Sequence, residues 1–460
     1  MARLAEQVMK RMDSMETGKT LVVGLGKTGL SCARFLAARG VSAAITDSRE
    51  QPPGLEELRR ELPDTALFLG AFDAAVFEAA DRLVVSPGVP VDQPLIRDAM
   101  ARGVPVIGDI ELFAQEVNAP MAAITGSNGK SSVTTLLGEM ADKAGRQVKV
   151  GGNLGEPALD LLSDDADLYV LELSSFQLET THTLASRVAV VLNVSADHMD
   201  RYDSLASYAD AKARIYHHAE VGVFNLDDPL VMAMQGAEKS ALFFTLGEPG
   251  KDSFGLRIED ERLWLCFEQE RLVAADELRV PGSHNLANAL AALAMGRALE
   301  LPMSAMLDAL RAFRGLPHRT QFVAEHAGVS WYNDSKGTNV GACIAALRGF
   351  ASTAGEDRTV LIAGGDDKGA DFSDLKPVVK DTARGVVLIG QDAQGIADAI
   401  GDTVPVAFAE DMKEAVALAA GLAQPGDRVL LSPVCASFDM YRSYEHRGEV
   451  FMTEVGRLVS

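Results

Sequence analysis

Cysteine is scarce in this chain: 4 among 460 residues, at Cys32, Cys266, Cys343 and Cys435, with no CxxC pair. Such spacing excludes a disulfide framework and a cysteine zinc site, and leaves isolated thiols suited to buried packing. Positive charge is also short, with Lys+Arg 43 against Asp+Glu 65 and a net charge of −22. An acidic surface of that kind repels a phosphate backbone, so a nucleic-acid polymer is not an expected partner. It leaves room for a small nucleotide, which needs only a local pocket of amides and a few cations. No stretch of about 20 uninterrupted apolar residues occurs, so no membrane span is expected. The lead-in at 1–17 mixes Arg3, Glu6, Lys10, Arg11, Asp13 and Glu16 with Met and Leu. It lacks the apolar core of a secretory signal and reads as a short amphipathic or frayed segment. The expected protein is cytoplasmic, and a monomer.

What is present suffices for ordinary cores: 47% of residues are hydrophobic. At roughly 150 residues per domain, the length predicts about three domains. The first segment runs from an apolar strand at 20–24 through GLGKTG (24–29) into a helix over about 30–39. A second strand at 42–46 then ends at Asp47. That is the order of a dinucleotide-type βαβ unit. A second segment starts near Pro120 with the apolar strand 121–125, a glycine loop and a helix over 132–144. Further apolar runs at 168–172 and 188–193 suit a parallel sheet covered on both faces. Alternation broken by charge over 254–273 predicts a small antiparallel excursion. A third segment from near Gly315 carries strands at 359–363, 385–389 and 428–431. The expected fold is α/β throughout, with three domains at 1–118, 119–317 and 318–460, each on a mainly parallel sheet with flanking helices. The first and third read as Rossmann-like and the central one as P-loop-type.

The strongest chemical signal is TGSNGKS at 125–131. Glycines Gly126 and Gly129 let successive backbone N–H groups point at phosphate oxygens, Lys130 adds a cation, and the Ser131 hydroxyl can hold Mg²⁺. The loop is compact: the longer form would place glycine at 124, where Ile124 stands. GLGKTG at 24–29 is weaker by itself. It suits NAD with Asp47 on a ribose, or another diphosphate such as a UDP-sugar. Only the second choice gives both loops a task.

Taken together, these residues resemble the Mur ligase family, which builds the peptide stem of bacterial peptidoglycan. The resemblance continues through GGNLG (151–155), ELSSFQLE (172–179), DHMDRY (197–202) and AKARIY (211–216). It extends to HNLAN (284–288), LPHR (316–319), NDSKGTN (333–339), GGDDKGADF (364–372) and SPVCASFD (432–439). The nearest pattern within the family is that of members adding D-glutamate to UDP-N-acetylmuramoyl-L-alanine. The resemblance implies ATP-dependent amide-bond formation through an acyl phosphate, serving cell-wall biogenesis and with it cell shape and division.

It also implies roles. Lys130, His198 and Lys212 are catalytic candidates. Gly126, Ser127, Asn128, Gly129, Lys130, Ser131 and Ser132, with Asn285, Asn288, Arg319, Asp334 and Lys336, would bind ATP. Mg²⁺ would be held by Ser131, Glu172, His198 and Lys212, the lysine carboxylated by CO₂. The uridine substrate would meet Lys27, Thr28, Asp47, Ser48, Arg49, Gly88, Asn153 and His198. D-glutamate would meet Thr338, Lys368, Ser437, Phe438 and Tyr444. Gly337 and Tyr444 depart from the alanine and phenylalanine common in the family. Without the resemblance, Lys212 on a helix over 204–218 reads as a solvated lysine, and His198 as a structural histidine. Three other readings stand beside this one: a different amide ligase of the family, such as the folylpolyglutamate synthase type or the L-alanine-adding ligase; an NAD-dependent oxidoreductase; and a nucleotide-binding regulator without turnover.

Overall fold

The computed structural model describes residues 18–236, 240–350, 357–367 and 369–459. The lead-in at 1–17 and Lys368 lie outside them. Three sheets carry the chain. The first holds β1 (Thr20–Val23), β2 (Ala43–Asp47), β3 (Leu67–Leu69), β4 (Arg82–Val85) and β5 (Val106–Ile107) in the order β3-β2-β1-β4-β5, all parallel. Leu21, Val22 and Val23 are buried, as a strand covered by helices on both faces requires. The glycine loop leaves β1 where the strand order reverses, so its helix, Lys27–Ala38, opens at the switch point of the sheet.

The second sheet contains β6 (Met121–Thr125), β7 (Val148–Gly152), β8 (Leu168–Glu172), β9 (Val188–Val191), β10 (Val221–Asn225), β11 (Ser240–Phe244), β12 (Ser253–Glu259), β13 (Arg262–Phe267) and β14 (Glu270–Ala274). Their order is β14-β13-β12-β11-β10-β9-β6-β8-β7. Strands β12 to β14 form the antiparallel excursion expected from the charge-broken alternation. Helix Ser283–Ala298 is apolar nearly all round from Ala289 onward and packs with helix Lys130–Lys143 in the core over this sheet.

The third sheet has β15 (Gln321–His326), β16 (Val329–Asn333), β17 (Thr359–Gly364), β18 (Ala383–Ile389), β19 (Val406–Phe408) and β20 (Arg428–Leu431) in the order β15-β16-β20-β17-β18-β19. Only β15 runs antiparallel to its neighbour in this sheet. The four cysteines are free and buried.

Two expected helices begin earlier than the sequence pattern suggests, at Lys27 and at Lys130, so each loop lysine stands in a first helical turn. The helix expected over 204–218 is shorter. An α-helix spans Leu205–Ala213, and Arg214–Tyr216 tightens into a 3₁₀ turn. The cause is side-chain demand. Arg214 donates to the Leu178 and Thr181 carbonyls, while the Tyr216 hydroxyl bridges Val191 N–H and the Val223 carbonyl under the sheet.

Candidate active site

Strand β6 lies between β8 and β9, so the loop leaving its C-terminal end is flanked by the ends of both neighbours. The last residues of β6 pair Ile124 with Glu172 and Thr125 with Val191. Ile124 therefore belongs to the strand interior, which accounts for the compact loop. Gly129 is the N-cap of helix Lys130–Lys143 at φ +85°, and a Cβ there would come within 2.3 Å of the Asn288 side-chain oxygen. Only glycine meets both demands. Lys130 Nζ donates to the carbonyls of Gly126 (2.8 Å) and Ser127 (2.9 Å). Burial lowers its pKa; Glu172 and Asp197 oppose that shift and Arg319 adds to it. Ser131 Oγ accepts a 2.8 Å bond from Arg319, which arrives from the far side of the junction after helix Met303–Ala312.

Glu172 ends β8 beside this loop and is buried. One carboxylate oxygen accepts from Asn153 Nδ2 at 2.7 Å; the other is buried with no hydrogen-bond partner among the described residues. Lys212 is 1% exposed, far from the solvated lysine that its helix would suggest. Its ammonium donates to the Gly126 carbonyl at 3.0 Å and sits 4.3 Å over the Tyr208 ring. Burial and the Lys130 charge push its pKa well below the ordinary lysine value, against the pull of Asp197 and Glu172. His198 adopts φ +57°, its ring lies edge-on to Phe176 at 4.9 Å, and its Nε2 is 3.8 Å from the Asp197 carboxylate.

A cavity of about 270 Å³ opens beside the loop. Asn128, Gly129 and Ser132 line it with Asn285 and Asn288, one turn apart on helix Ser283–Ala298, and with Arg319, Asp334 and Lys336 from beyond the junction. Asp334 accepts from Thr320 N–H (3.0 Å) and Ser432 Oγ (2.7 Å), and burial raises its pKa to about 6. Gly337 has a steric reason here: a Cβ would stand 2.6 Å from both members of the Asp334–Ser432 bond. Lys336 lies 4.0 Å over the Tyr444 ring, and burial with Arg319 and Lys130 nearby lowers its pKa to about 8. A larger hollow, about 1050 Å³, lies at the N-terminal ends of β1 and β2 among residues such as Thr20, Ala37 and Phe68, and none of these groups lines it.

The residues expected to meet the uridine substrate gather at the strand ends of the first sheet. Lys27 and Thr28 open its first helix, Asp47 ends β2 with Ser48 and Arg49 after it, and Gly88 comes after β4. Asp47 is committed internally: it accepts from Leu25 N–H, Arg49 N–H and the Arg49 guanidinium. Lys27 Nζ donates across to the Gly155 carbonyl at 2.6 Å. Through Gly155 and Asn153, the first set thus abuts Glu172.

Of the residues expected to hold D-glutamate, Thr338 comes after β16, Ser437 is buried after β20, and Tyr444 opens the last helix, Tyr444–Val459. Phe438 stands apart at 72% exposed. Several residues that shape the site carried no assigned role in the sequence. Asn193, ending the apolar run 188–193, exchanges bonds with the Asn128 backbone. Asn339, in the NDSKGTN run, reaches the Asn128 side chain and Asp197. Arg447 ties the loops after β16, β17 and β20 together by donating to the Ser335, Gly364, Cys435 and Ala436 carbonyls. For Asn193 the signal was a polar residue closing an apolar strand; Arg447 offered none.

Three family models match in chain order: "Mur ligase MurD-like, N-terminal domain" over 18–108, "Mur ligase middle domain" over 124–296, and "Mur ligase, glutamate ligase domain" over 318–435. A UDP-N-acetylmuramoylalanine–D-glutamate ligase of Nitrosococcus oceani is 55% identical over 442 residues, covering 96% of this chain and 97% of that one. The chain belongs to the Mur ligase family. The ligase of the same name from Marinobacter nauticus is 53% identical, covering 95% of this Mur ligase and 98% of its own length. Among solved structures, a pseudomurein peptide ligase type C from Methanothermus fervidus aligns at TM-score 0.62 and 18% identity over 96% of this chain and all of that one. The UDP-N-acetylmuramate-alanine ligase of Thermotoga maritima aligns at 0.59 and 18% over the same shares. At those identities the structural likeness concerns the fold, and the three-domain α/β architecture of this Mur ligase is the one they share.

Proposed function

We propose that this Mur ligase joins D-glutamate to UDP-N-acetylmuramoyl-L-alanine at the expense of ATP, in peptidoglycan precursor synthesis. The observation that carries the reading is end-to-end identity of 53–55% with ligases of that name. The reaction has two steps. An oxygen of the alanyl carboxylate attacks the γ-phosphorus of ATP and ADP leaves, giving an acyl phosphate. The amine of D-glutamate then attacks the acyl carbon, phosphate leaves, and the nitrogen loses a proton. Bringing two anions together in the first step needs positive charge at the γ-phosphate, which Arg319 and Lys336 supply from the cavity wall and Lys130 from the phosphate loop beside it. The second step is chiefly one of positioning.

The family's Mg²⁺ fits the donor that the structure leaves unpartnered, the buried oxygen of Glu172 beside the phosphate loop, and the Ser131 hydroxyl, which accepts from Arg319 here, would join it. Bound there, Mg²⁺ neutralises phosphate charge. His198 and Lys212 complete the proposed set. A buried lysine with a strongly lowered pKa is the form that adds to CO₂, its nitrogen losing a proton, so that a cation becomes a carbamate oxygen donor. Asn285, Asn288 and Asp334 take the nucleoside; Lys27, Thr28, Asp47, Ser48, Arg49, Gly88 and Asn153 take the uridine substrate, Asp47 by fixing Arg49. Thr338, Ser437, Phe438 and Tyr444, with Lys368, take D-glutamate. The three units at 1–118, 119–317 and 318–460 thus bring one substrate each. Closure at the junction around Gly315 (φ +78°) precedes chemistry and keeps water from the acyl phosphate. The enzyme of this reading works as a cytoplasmic monomer, where its nucleotide substrates are. Among the described residues no helix is long and apolar enough to cross a membrane.

Phosphate release is the test, measured with ATP, Mg²⁺ and UDP-N-acetylmuramoyl-L-alanine, with D-glutamate, L-glutamate or no amine. Turnover confined to D-glutamate is expected. Turnover with L-glutamate alone, or with none, sinks the substrate assignment.

A further inference from the structure

Helix Val340–Gly349 of the third unit points its first turn at the phosphate loop of the second. Its N-cap, Asn339, forms a reciprocal amide pair with Asn128: Asn128 Nδ2 donates to Asn339 Oδ1 at 3.3 Å, and Asn339 Nδ2 donates to Asn128 Oδ1 at 3.2 Å. The same Asn339 amide donates to the Asp197 carboxylate at 3.1 Å, and its oxygen caps Ala342 N–H at 2.8 Å. Two residues on, Gly341 lies against the segment after β9. A Cβ at Gly341 would stand 2.6 Å from Ser195 Oγ and 2.9 Å from Ser195 Cβ. Ser195 in turn exchanges two 2.9 Å bonds with the Ser127 hydroxyl. The helix therefore docks on the phosphate loop through one polar pair and one contact that only a hydrogen atom permits.

We propose that Asn339 and Gly341 form a latch that seats the third unit on the phosphate loop, with Asn339 a positioning residue for Asn128 and Asp197. The proposal rests on the ligase reading for its consequence, because chemistry waits on that seating. The two units are complementary across the seam. Asn128 and Asn339 are 211 positions apart, and each amide satisfies both a donor and an acceptor of the other. Glycine in a first helical turn costs helix stability relative to alanine, so its presence where the neighbour is 2.6 Å away fits a demand for close approach. Arg319 on Ser131 makes a second tie across the same seam.

Two readouts test it. With an ATP analogue and Mg²⁺, small-angle scattering is expected to show the parent compact and Gly341→Val expanded. In turnover, Gly341→Ala is expected to lower kcat about tenfold without lowering thermal stability or uridine-substrate affinity, and adding Ser195→Gly to it recovers most of the loss. Asn339→Ala is expected to lower kcat similarly, and in the Asn128→Ala background to cost little more, because the pair is already broken. Parent-like compaction of Gly341→Val, or a Gly341→Ala loss that Ser195→Gly leaves untouched, overturns the latch. A parent that compacts but turns over neither substrate overturns the ligase reading and leaves the latch standing.

Discussion

Three lysines converge on the phosphate loop, and like charges at close quarters weaken each other's hold on a proton. Lys336 is lowered to about 8, through burial and then the charges of Arg319 and Lys130. In the proposed site its cation faces the phosphates, so on that reading ATP binding weakens as pH rises through 8. The expected result is a KM for ATP that climbs several-fold between about pH 7 and 9, and a flatter profile for Lys336→Arg, whose charge persists. Identical profiles for the two proteins would remove Lys336 from the phosphate site. Glu172 gives a second expectation. Glu172→Gln keeps a group for Asn153 but removes the anionic oxygen, so the Mg²⁺ requirement should rise and kcat fall about 10²-fold or more, with folding intact. At this scale the sequence was informative where one local run carries the chemistry, as in TGSNGKS. Lys212 was reached only through the family resemblance, because burial of one helical lysine is decided by Tyr208 and the Gly126 carbonyl, which no local pattern announces.

Loops after β16, β17 and β20 meet at the C-terminal ends of those parallel strands because the strands are neighbours in the order β16-β20-β17. Arg447, on the last helix, is buried and spends its guanidinium on four carbonyls and the Ser335 hydroxyl, with no carboxylate among its hydrogen-bond partners in the described residues. Desolvation lowers its pKa to about 10, so it remains a cation near neutrality. Removing it strands buried acceptors, so Arg447→Met is expected to cost roughly 2–4 kcal/mol in denaturant unfolding. It should also raise the KM for D-glutamate more than that for ATP, since Ser437 and the Gly364 loop lie on the side it braces. Equal effects on both would mean a purely structural role. Strands were the elements most legible in advance, since apolar runs such as 121–125 and 188–193 suit a buried parallel sheet. The helix through Lys212 was less so: its early end at Ala213 results from what Arg214 and Tyr216 reach, which is tertiary information.

Across the whole molecule, the docking of one unit on another was illegible, because partners such as Arg319 and Ser131 lie 188 positions apart. The seam between the first and second units shows what such contacts do to stability. Helix Asp109–Glu116 presents two buried acids to the second unit, with opposite outcomes. Burial raises Asp109 to about 6, and the bond from Gln177, helped by the backbone N–H groups of Ile110 and Asp109, offsets only part of it. Burial also pushes Glu111 upward, but bonds from His182 N–H, Thr183 N–H, the Thr183 hydroxyl and Gln115 leave it below its ordinary value. Between about pH 4 and 6 the folded protein holds the Asp109 proton more tightly than the unfolded chain does, so this group's contribution to stability falls as pH rises through that window. Asp109→Asn does not titrate. Its stability relative to the parent should therefore improve from pH 4 to pH 7, by up to about 3 kcal/mol, whatever fixed cost the amide brings. Glu111 has the reverse sign: its stabilisation is present above the ordinary glutamate pKa and is lost as pH falls. Glu111→Gln should accordingly be less stable than the parent at pH 7, with the gap narrowing as the pH drops below about 4. Urea unfolding at pH 4, 5, 6 and 7 measures both differences. Opposite slopes for substitutions two residues apart in one helix would place the pH response in this seam, whereas parallel slopes would assign it to the net charge of −22 acting on the whole surface.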